Sequence, residues 1–597
     1  MTCAPCTTNA FANSVARAVS PLSNSIRNAR PNAIFVWMEG GGAAMVRSSI
    51  RRGNLERARS KLIIDTLTEP EGTQTSAVVF GWTNLLCGPP DSRRHRDALM
   101  VTEAHSRPSA HPGGRDFVGV VYGDVGSTAL KFSVIRPVER NEFVQIPHET
   151  CGLVLGRVEE VERHTDLSLD KAQLLGSGEP VEIEEKMSAS VAVVGYRDDR
   201  DLLQVPRTPF RAGAEVQHAD EALIKKVLGL RDDRHHGAYV GLLSGHGIKV
   251  YLDINGMVQK HVSVLAKTGG GKSYITGVLI EELMKHHVTC VILDPHGEYA
   301  SLAEKGKVAH GSERFGVEPR GYRDVIQVFS PDVKVSPHAR PLKFTLSNLD
   351  ARDILSLTGG GGKLRQHLTA LRKALDLLKQ TSRDYSMMDI IRLLEKDEDP
   401  QNAALVDDLE YLAEVDIFAR EGTRIDELVV KGQTTIIDLK GTPPDIQELI
   451  VNRLCTALFE LRKVNKIPPL MLAVEEAHNF CPQVGQVASS KVFRTIASEG
   501  RKFGLGVLIV TQRAAKVDKN VLSQCNTQII LKVTNPNDLK AISASVEGLT
   551  PGMEDEIQRL PIGVAIVTGA GLQMPMMVEV RPRETRHGGE SVQVIPD

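Results

Sequence analysis

The chain has 597 residues, too many for a single hydrophobic core, and it should divide into about three or four folding units. Its composition, with 41% hydrophobic and 24% charged residues, is that of a water-soluble globular protein. The net charge of −2 argues against coating of nucleic acid through bulk charge, so any DNA contact must come from a local basic lining. No apolar run reaches the roughly 20 residues that span a bilayer, and we expect no membrane insertion.

The cysteines are scattered along the chain, which suits a reducing compartment, and we expect a cytoplasmic protein. Cys3 and Cys6 form a CxxC pair. Since no second pair follows at metal-ligand spacing, we interpret them as two unrelated thiols in a loose tail.

Residues 1–115 show no periodic apolar face, and at their start Ser, Ala, Asn and Arg dominate while acids are scarce. This composition resembles that of an organellar transit peptide, and it also fits a disordered tail or a translation start placed too far upstream. We favour the upstream start, because Met100 lies just before the first orderly sequence.

Short alternating apolar runs follow, separated by Gly, Pro and Asp turns, at 120–122, 130–134, 143–146, 151–158 and 190–194. Closely spaced strands of this kind indicate a small β-barrel over residues 116–206. A linker and one helix are predicted up to residue 230, and two further strands precede the next motif.

The most informative stretch is AKTGGGKS at 266–273, which follows the apolar run Val262–Leu265 and precedes a helix-like run. Strand, glycine loop and helix in this order are typical of a P-loop, in which backbone N–H groups and a helix N-terminus bind phosphate. Lys272 would reach the β- and γ-phosphates and Ser273 would bind Mg²⁺, so the stretch predicts a nucleoside triphosphate as ligand. The alternative is a flexible glycine turn before a helix. The predicted phosphate-binding residues are Thr268, Gly269, Gly270, Gly271, Lys272 and Ser273.

Beyond this loop, apolar strands alternate with helix-length segments, at 289–293, 325–329, 434–439, 470–474, 505–510 and 527–532. This alternation predicts an α/β, RecA-like P-loop ATPase domain with crossover helices. Its two parts would cover 207–346 and 431–583, with a helical insertion at 347–430 and a C-terminal tail at 584–597.

Glu475 and Glu476 directly follow the apolar run Leu470–Val474. A triphosphatase needs one carboxylate near the metal and another to polarise the attacking water. We predict that Glu475 lies near Mg²⁺ and that Glu476 polarises the attacking water, both as catalytic residues, although paired acids also simply solvate strand ends.

Two more polar residues follow predicted strands. Gln512 comes after the strand at 505–510 and is a candidate sensor of the γ-phosphate, the alternative being an ordinary turn residue. Asp294 ends the strand at 289–293 and is a further candidate catalytic residue, because ligands of open α/β sheets bind at the carboxyl ends of strands.

Five segments of this chain, in this order, resemble the HerA family of hexameric DNA translocases, relatives of the FtsK motor: LAKTGGGKSY, ILDPHGEY, VEEAHNF, SEGRKFGLGVLIVTQR and VLSQCNTQIILKVTNPND. The resemblance runs from about Gly119 to Arg583, because the predicted barrel is similar to the N-terminal barrel of that family. Alanine at Ala266 and glutamate at Glu475 are both familiar in the family.

The resemblance implies a homohexameric ring that hydrolyses ATP between subunits and drives double-stranded DNA through a central pore. It also implies a partner nuclease of the NurA type and a role in DNA end resection and recombinational repair. Arg501 matches the family arginine that reaches into the neighbouring active site, where it would neutralise charge on the transferred phosphoryl group. The alternative is a surface arginine at a helix C-terminus.

Basic residues near two of these motifs are candidate DNA contacts that would touch phosphates without reading bases: Lys491, Arg494, Lys516 and Lys519. They fit a solvated helix face equally well.

Two other functions share the same core motifs. One is a conjugation-type or secretion-type ATPase, whose usual membrane helices this sequence lacks. The other is a defence or regulatory scaffold in which ATP binding controls a partner effector. The set of Glu475, Glu476 and Gln512 favours true turnover.

Overall fold

The computed structural model describes residues 33–38, 42–47, 78–79 and 116–589, without 309–310, 357–363, 382–384, 398, 400–401, 416, 420, 486, 547 and 550. The N-terminal strands are β1 (Ala33–Met38), β2 (Gly42–Arg47) and β3 (Val78–Val79), which pair in the order β2-β1-β3. We did not expect this small sheet from the sequence, although β1 is the apolar run AIFVWM. The predictions for Met100, Cys3 and Cys6 lie outside the described residues.

Six strands close the barrel by antiparallel pairing in the order β5-β4-β10-β6-β7-β8, with β8 returning to β5 and β9 attached to β8. They are β4 (Phe117–Tyr122), β5 (Ala129–Val134), β6 (Phe143–His148), β7 (Gly152–Thr165), β8 (Glu185–Arg197), β9 (Leu203–Gln204) and β10 (Glu215–His218). Helix α1 (Leu169–Gly176) lies between β7 and β8 in the sequence. Alternate residues of these strands fill one core, among them Val118, Phe132, Ile146 and Val191.

The barrel therefore ends later than residue 206. Its closing strand β10 pairs with both β4 and β6 and lies in the region that we predicted to be a linker. The strand has only four residues, of which Val216 alone is apolar, so its periodicity is too weak to be recognised.

One twelve-stranded sheet organises the second domain, in the order β12-β11-β24-β23-β22-β13-β21-β20-β14-β19-β15-β16. Its first strands along the chain are β11 (Gly237–Leu243), β12 (Lys249–Asp253), β13 (Val262–Leu265), β14 (Thr289–Asp294), β15 (Ile326–Ser330) and β16 (Arg340–Pro341). After the short pair β17 (Phe344–Thr345) and β18 (Phe418–Ala419) come β19 (Thr434–Asp438), β20 (Leu470–Val474), β21 (Leu505–Thr511), β22 (Thr527–Ile530), β23 (Val564–Thr568) and β24 (Met576–Val580). The strands from β22 to β16 are parallel, so their carboxyl ends share one edge.

Helices cover both faces of this sheet. Outside the insertion they are α2 (Glu221–Leu228), α3 (Ile254–Lys260), α4 (Lys272–Lys285), α5 (Ser312–Phe315), α11 (Pro444–Lys463), α12 (Ser490–Phe503), α13 (Lys519–Leu522), α14 (Pro536–Ser545) and α15 (Pro551–Arg559). Those of the insertion are α6 (Ala351–Ser356), α7 (Leu364–Thr381), α8 (Met387–Lys396), α9 (Ala403–Glu414) and α10 (Ile425–Leu428). In the described part of the chain, no helix is both long and apolar enough to cross a bilayer.

The central strands are buried at every position because alternate residues enter two different cores. Leu472 and Val474 of β20 pack on the side of α11, α12 and the insertion, whereas Met471 and Ala473 pack on the side of α4. Uninterrupted apolar runs that end in polar residues follow from this arrangement.

The segment that we assigned to a tail from residue 584 begins instead with buried residues. Glu584 and Thr585 donate their backbone N–H groups to the carboxylate of Glu281 on α4, at 3.0 and 2.9 Å. Arg581, whose side chain is fully buried, donates to the carboxylates of Glu281 and Glu282 at 2.9 and 2.7 Å. The C-terminal segment is therefore bound along α4, and buried ion pairs of this kind leave no apolar pattern in the sequence.

Candidate active site

The glycine loop lies between the carboxyl end of β13 and the first residue of α4. Gly269 and Gly271 have φ values of +71° and +91°, in the left-handed region that favours glycine. A Cβ atom at Gly270 would lie 2.9 Å from the carbonyl oxygen of Lys267, so a side chain there would displace the loop. The loop thus passes directly into a helix N-terminus, an arrangement that fits a chain of phosphates.

The Lys272 side chain at the start of α4 meets the two acids that follow β20. Its Nζ donates to Glu475 Oε1 and, at 3.0 Å, to Glu476 Oε1. The side chains of Lys272, Glu475 and Glu476 are 12%, 1% and 7% exposed, so all three charges are largely removed from water. The structure brings these predicted residues together because only β21 separates β20 from β13 in the sheet.

Burial and charge act differently on the three groups. Burial raises the pKa of Glu475, although Lys272 favours its charged form. Burial also disfavours the charged form of Glu476, but His478 and Lys272 outweigh it and lower the pKa of Glu476 to about 2. Burial likewise opposes the charged form of Lys272, yet the two carboxylates raise its pKa. Glu476 is therefore an anion at neutral pH.

Glu476 has a left-handed backbone, with φ 48° and ψ 45°, and it precedes the short 3-10 helix Ala477–Asn479. A non-glycine residue in this region costs on the order of 1–3 kcal/mol and persists only where its surroundings enforce it. His478 in that helix contributes a contact that we did not predict. Its Nδ1 lies 3.2 Å from Glu476 Oε2 and 3.0 Å from the hydroxyl of Thr511, the last residue of β21.

Tyr299 is a second residue that the sequence analysis missed, although it lies within the segment ILDPHGEY. Its hydroxyl donates to Glu475 Oε2 at 2.5 Å, and its ring is buried. The backbone N–H groups of Gly297 and Tyr299 each donate to the Asp294 carboxylate at 2.9 Å. Burial raises the pKa of Asp294 to about 7. The Asp294 carboxylate thus shapes the turn that places Tyr299, and its catalytic role stays a prediction.

Gln512 lies beside the glycine loop, and its role as a sensor of the γ-phosphate stays a prediction. It follows β21, the neighbour of β13, and its Oε1 accepts a hydrogen bond from the Thr268 hydroxyl. An amide at this place is within reach of the loop that would hold the phosphates.

Arg501 does not join this group of residues. It is exposed in the last turn of α12, which ends where β21 begins, whereas Lys272 follows the opposite end of the parallel strand β13. His261 fixes this edge: its Nε2 donates to the Ala497 carbonyl at 3.0 Å, and its Nδ1 accepts from the Val507 N–H at 3.1 Å. The seven residues of β21 separate the two edges by about 20 Å.

The four candidate DNA-contacting residues differ in whether their side chains are free to bind a phosphate. Lys491, Lys516 and Lys519 are exposed. Arg494 is held by an ion pair between its Nε and the buried carboxylate of Asp518 at 2.5 Å, which ties α12 to the start of α13. A structural role for Arg494 is therefore already apparent.

A glycine loop between a parallel strand and a helix, with its lysine against two carboxylates at a neighbouring strand end, defines a P-loop ATPase with a RecA-like sheet. Residues 238–458 match the family model described as the helicase HerA central domain, and this confirms the resemblance to the HerA family. The chain is 27% identical over 552 residues to the DNA double-strand break repair helicase HerA of Pyrococcus furiosus, covering 80% of this chain and 96% of the relative. It is 24% identical over 483 residues to the protein of the same name from Saccharolobus solfataricus, covering 78% and 92%.

Solved structures are more distant. VirB4 of Thermoanaerobacter pseudethanolicus aligns with a TM-score of 0.40 and 15% identity, covering 59% of this chain and 97% of VirB4. The plasmid coupling protein TrwB in complex with ADP and Mg²⁺ aligns with a TM-score of 0.42 and 15% identity, covering 62% and 94%.

Proposed function

We propose that this protein is an ATP-driven DNA translocase and helicase that acts in the repair of DNA double-strand breaks. The observation that carries the proposal is the buried contact of Lys272 with Glu475 and Glu476 beside an open glycine loop. Relatives named DNA double-strand break repair helicase HerA, aligned over most of their length, support the choice of DNA as the partner.

The nucleotide would be held by the backbone N–H groups of residues 268–271 and by the Lys272 ammonium group. The Ser273 hydroxyl and Glu475 would hold Mg²⁺, which supplies positive charge against the phosphates when it is bound. To bind phosphate, Lys272 has to exchange part of its contact with the two carboxylates for the ligand. Tyr299 keeps Glu475 in place during this exchange through its hydrogen bond.

Glu476 would orient the attacking water. Its low pKa keeps it ionised, so that it accepts a hydrogen bond from water at neutral pH. Gln512, tied to Thr268 of the glycine loop, would respond to the terminal phosphate.

The distance between the two sheet edges supports a ring. Because Arg501 lies at the edge opposite to Lys272, it would act only in the site of an adjacent subunit. We propose a homohexamer in which each Arg501 completes the neighbouring site, as the family resemblance implies.

Within this ring, duplex DNA would pass through a central pore lined by phosphate contacts from the exposed Lys491, Lys516 and Lys519. We also propose a nuclease partner of the NurA type and a cytoplasmic location.

ATP hydrolysis by the full chain, measured with and without linear duplex DNA, tests the proposal together with the mass in solution from light scattering. We expect a hexamer whose turnover rises with DNA and is lost in Lys272→Ala. A monomer whose ATPase is indifferent to DNA would contradict the proposal.

A further inference from the structure

His478 lies between the proposed catalytic carboxylate and the strand that carries the proposed sensor. Its imidazole is mostly buried, and Nδ1 is 3.2 Å from Glu476 Oε2 and 3.0 Å from Thr511 Oγ1. Thr511 is fully buried, and its hydroxyl accepts the backbone N–H of Arg513 at 3.0 Å. Nδ1 thus contacts both Glu476, which follows β20, and Thr511, the last residue of the adjacent strand β21.

The two oxygens of Glu476 have different neighbours. Oε1 accepts from Lys272, while His478 is the charged or polar side chain that reaches Oε2 among the described residues. Glu476 also has the left-handed backbone described above, so its side chain needs contacts that hold it. Oε2 is buried and has no hydrogen-bond partner among the described residues, so the approach of His478 Nδ1 to 3.2 Å is the polar contact that offsets its burial.

These contacts belong to a chain of residues that begins and ends at the glycine loop. Thr268 of the glycine loop donates to Gln512, and Thr511 precedes Gln512 in the chain. Thr511 contacts His478, His478 contacts Glu476, and Glu476 accepts from Lys272 at the other end of the glycine loop. A displacement of Gln512 would therefore move its neighbour Thr511, and through His478 it would move the Glu476 carboxylate.

We propose that His478 is a positioning residue that ties the Glu476 carboxylate to the end of β21, so that the state of Gln512 sets the orientation of Glu476. Nδ1 forms a hydrogen bond with the Thr511 hydroxyl at 3.0 Å and lies 3.2 Å from Glu476 Oε2, without hydrogen-bond geometry to that oxygen. The hydrogen bond to Thr511 holds the ring, and the ring places Nδ1 against the charged carboxylate oxygen. The functional part of this inference rests on the proposed ATPase activity; the tether itself does not.

The kinetic test compares two substitutions of His478 in the full chain. His478→Leu removes the nitrogen, and we expect kcat to fall by about tenfold or more while the Kd for ATP changes by less than about twofold. His478→Asn places a donor near the position of Nδ1 and should restore most of kcat. In a Glu476→Gln background, His478→Leu should have no further effect, because His478 acts through Glu476.

Thr511→Val tests the other end of the tether. It should lower kcat, and the double variant with His478→Leu should be no slower than the slower single variant. Thr434→Val is the matched control, because that threonine is also buried at a strand of the same sheet but its hydroxyl has no hydrogen-bond partner. Wild-type kcat in His478→Leu, or independent effects of the two substitutions, would overturn the inference.

Thermal unfolding tests the tether without reference to turnover. The Tm shifts of His478→Leu and Thr511→Val should be non-additive in the double variant, since each removes the same contact. Additive shifts would overturn the tether even if ATP is hydrolysed. A wild-type chain that hydrolyses no ATP but shows non-additive shifts would contradict the proposed function and support the tether.

Discussion

Lys272, Glu475 and Glu476 were predictable as a group because each stands in a glycine loop or directly after an apolar strand. Tyr299 and His478 were not predicted, although they lie in the family-like segments ILDPHGEY and VEEAHNF. Their contacts with the two carboxylates exist because β14, β20 and β21 are neighbours in the sheet, and this neighbourhood is a property of the fold. Local sequence therefore indicates the charged groups of the proposed site and omits those that orient them.

Glu476 and Lys272 should separate hydrolysis from binding. Glu476→Gln should bind ATP but hydrolyse it about 100-fold more slowly or worse, because the group that orients water is lost. Lys272→Ala should lose tight ATP binding, because the phosphates lose a cation. Equilibrium binding of a fluorescent ATP analogue and single-turnover hydrolysis measure the two effects. Exposed Glu460→Gln serves as the control, and wild-type turnover in Glu476→Gln would refute the role of Glu476.

Tyr299→Phe should weaken the magnesium dependence of turnover. A hydrogen bond to a charged group contributes about 1.5–3 kcal/mol, so loss of this one should leave Glu475 misplaced and raise the Mg²⁺ concentration needed for half-maximal ATPase by about tenfold. Tyr322→Phe is the matched control, because Tyr322 donates in the same way to Glu584, at 2.6 Å, away from the glycine loop. Equal Mg²⁺ dependence in both variants would show that Tyr299 has no special role at the site.

At the scale of elements, the sequence predicted strands best where they are buried on both faces. The runs at Val262–Leu265 and Leu470–Val474 have the bounds observed for β13 and β20. Prediction failed for β10, which is short and mostly polar, and for the segment after β24. That segment binds α4 through buried ions such as Arg581 and Glu281. Charged residues lie at the surface unless they are paired, and the pairing partners here are about 300 residues apart in the sequence.

Arg581→Met should destabilise the ATPase domain strongly. It would leave Glu281 and Glu282 buried without the guanidinium, a change that costs about 3–5 kcal/mol. Urea unfolding followed by circular dichroism measures the loss. Arg586→Met is the control, because the ion pair of Arg586 with Glu304 is largely exposed and should contribute little. Equal stability of both variants would show that the buried ion pairs of Arg581 do not stabilise the domain.

At the scale of the whole molecule, two groups of residues that we propose to form one site lie at opposite edges of the sheet. The glycine loop follows the carboxyl end of β13, and Arg501 lies next to the start of β21. The role of Arg501 stays a prediction from the family resemblance. The separation of the two groups within one chain required the sheet order and is the structural reason for proposing a ring.

Mixed rings test whether Arg501 acts on a neighbouring subunit. Neither Arg501→Ala nor Glu476→Gln alone should hydrolyse ATP well, but mixtures should regain turnover at interfaces that combine an intact Glu476 with an intact Arg501. An arginine supplied in trans contributes roughly 10³- to 10⁵-fold in rate, so a few restored interfaces should exceed background. Fluorescence transfer must show subunit exchange. Full activity of the Arg501→Ala ring by itself would refute the assignment.

Displacement of a third strand from a DNA triplex measures ATP-driven movement along duplex DNA most directly. With a triplex placed at one end of a linear duplex, we expect the wild-type chain to release the third strand only when ATP and Mg²⁺ are present. Glu476→Gln should bind the same DNA and release none. Hydrolysis of ATP without strand release, or release by Glu476→Gln at the wild-type rate, would contradict the account of this protein as a motor driven from the Lys272–Glu476 site.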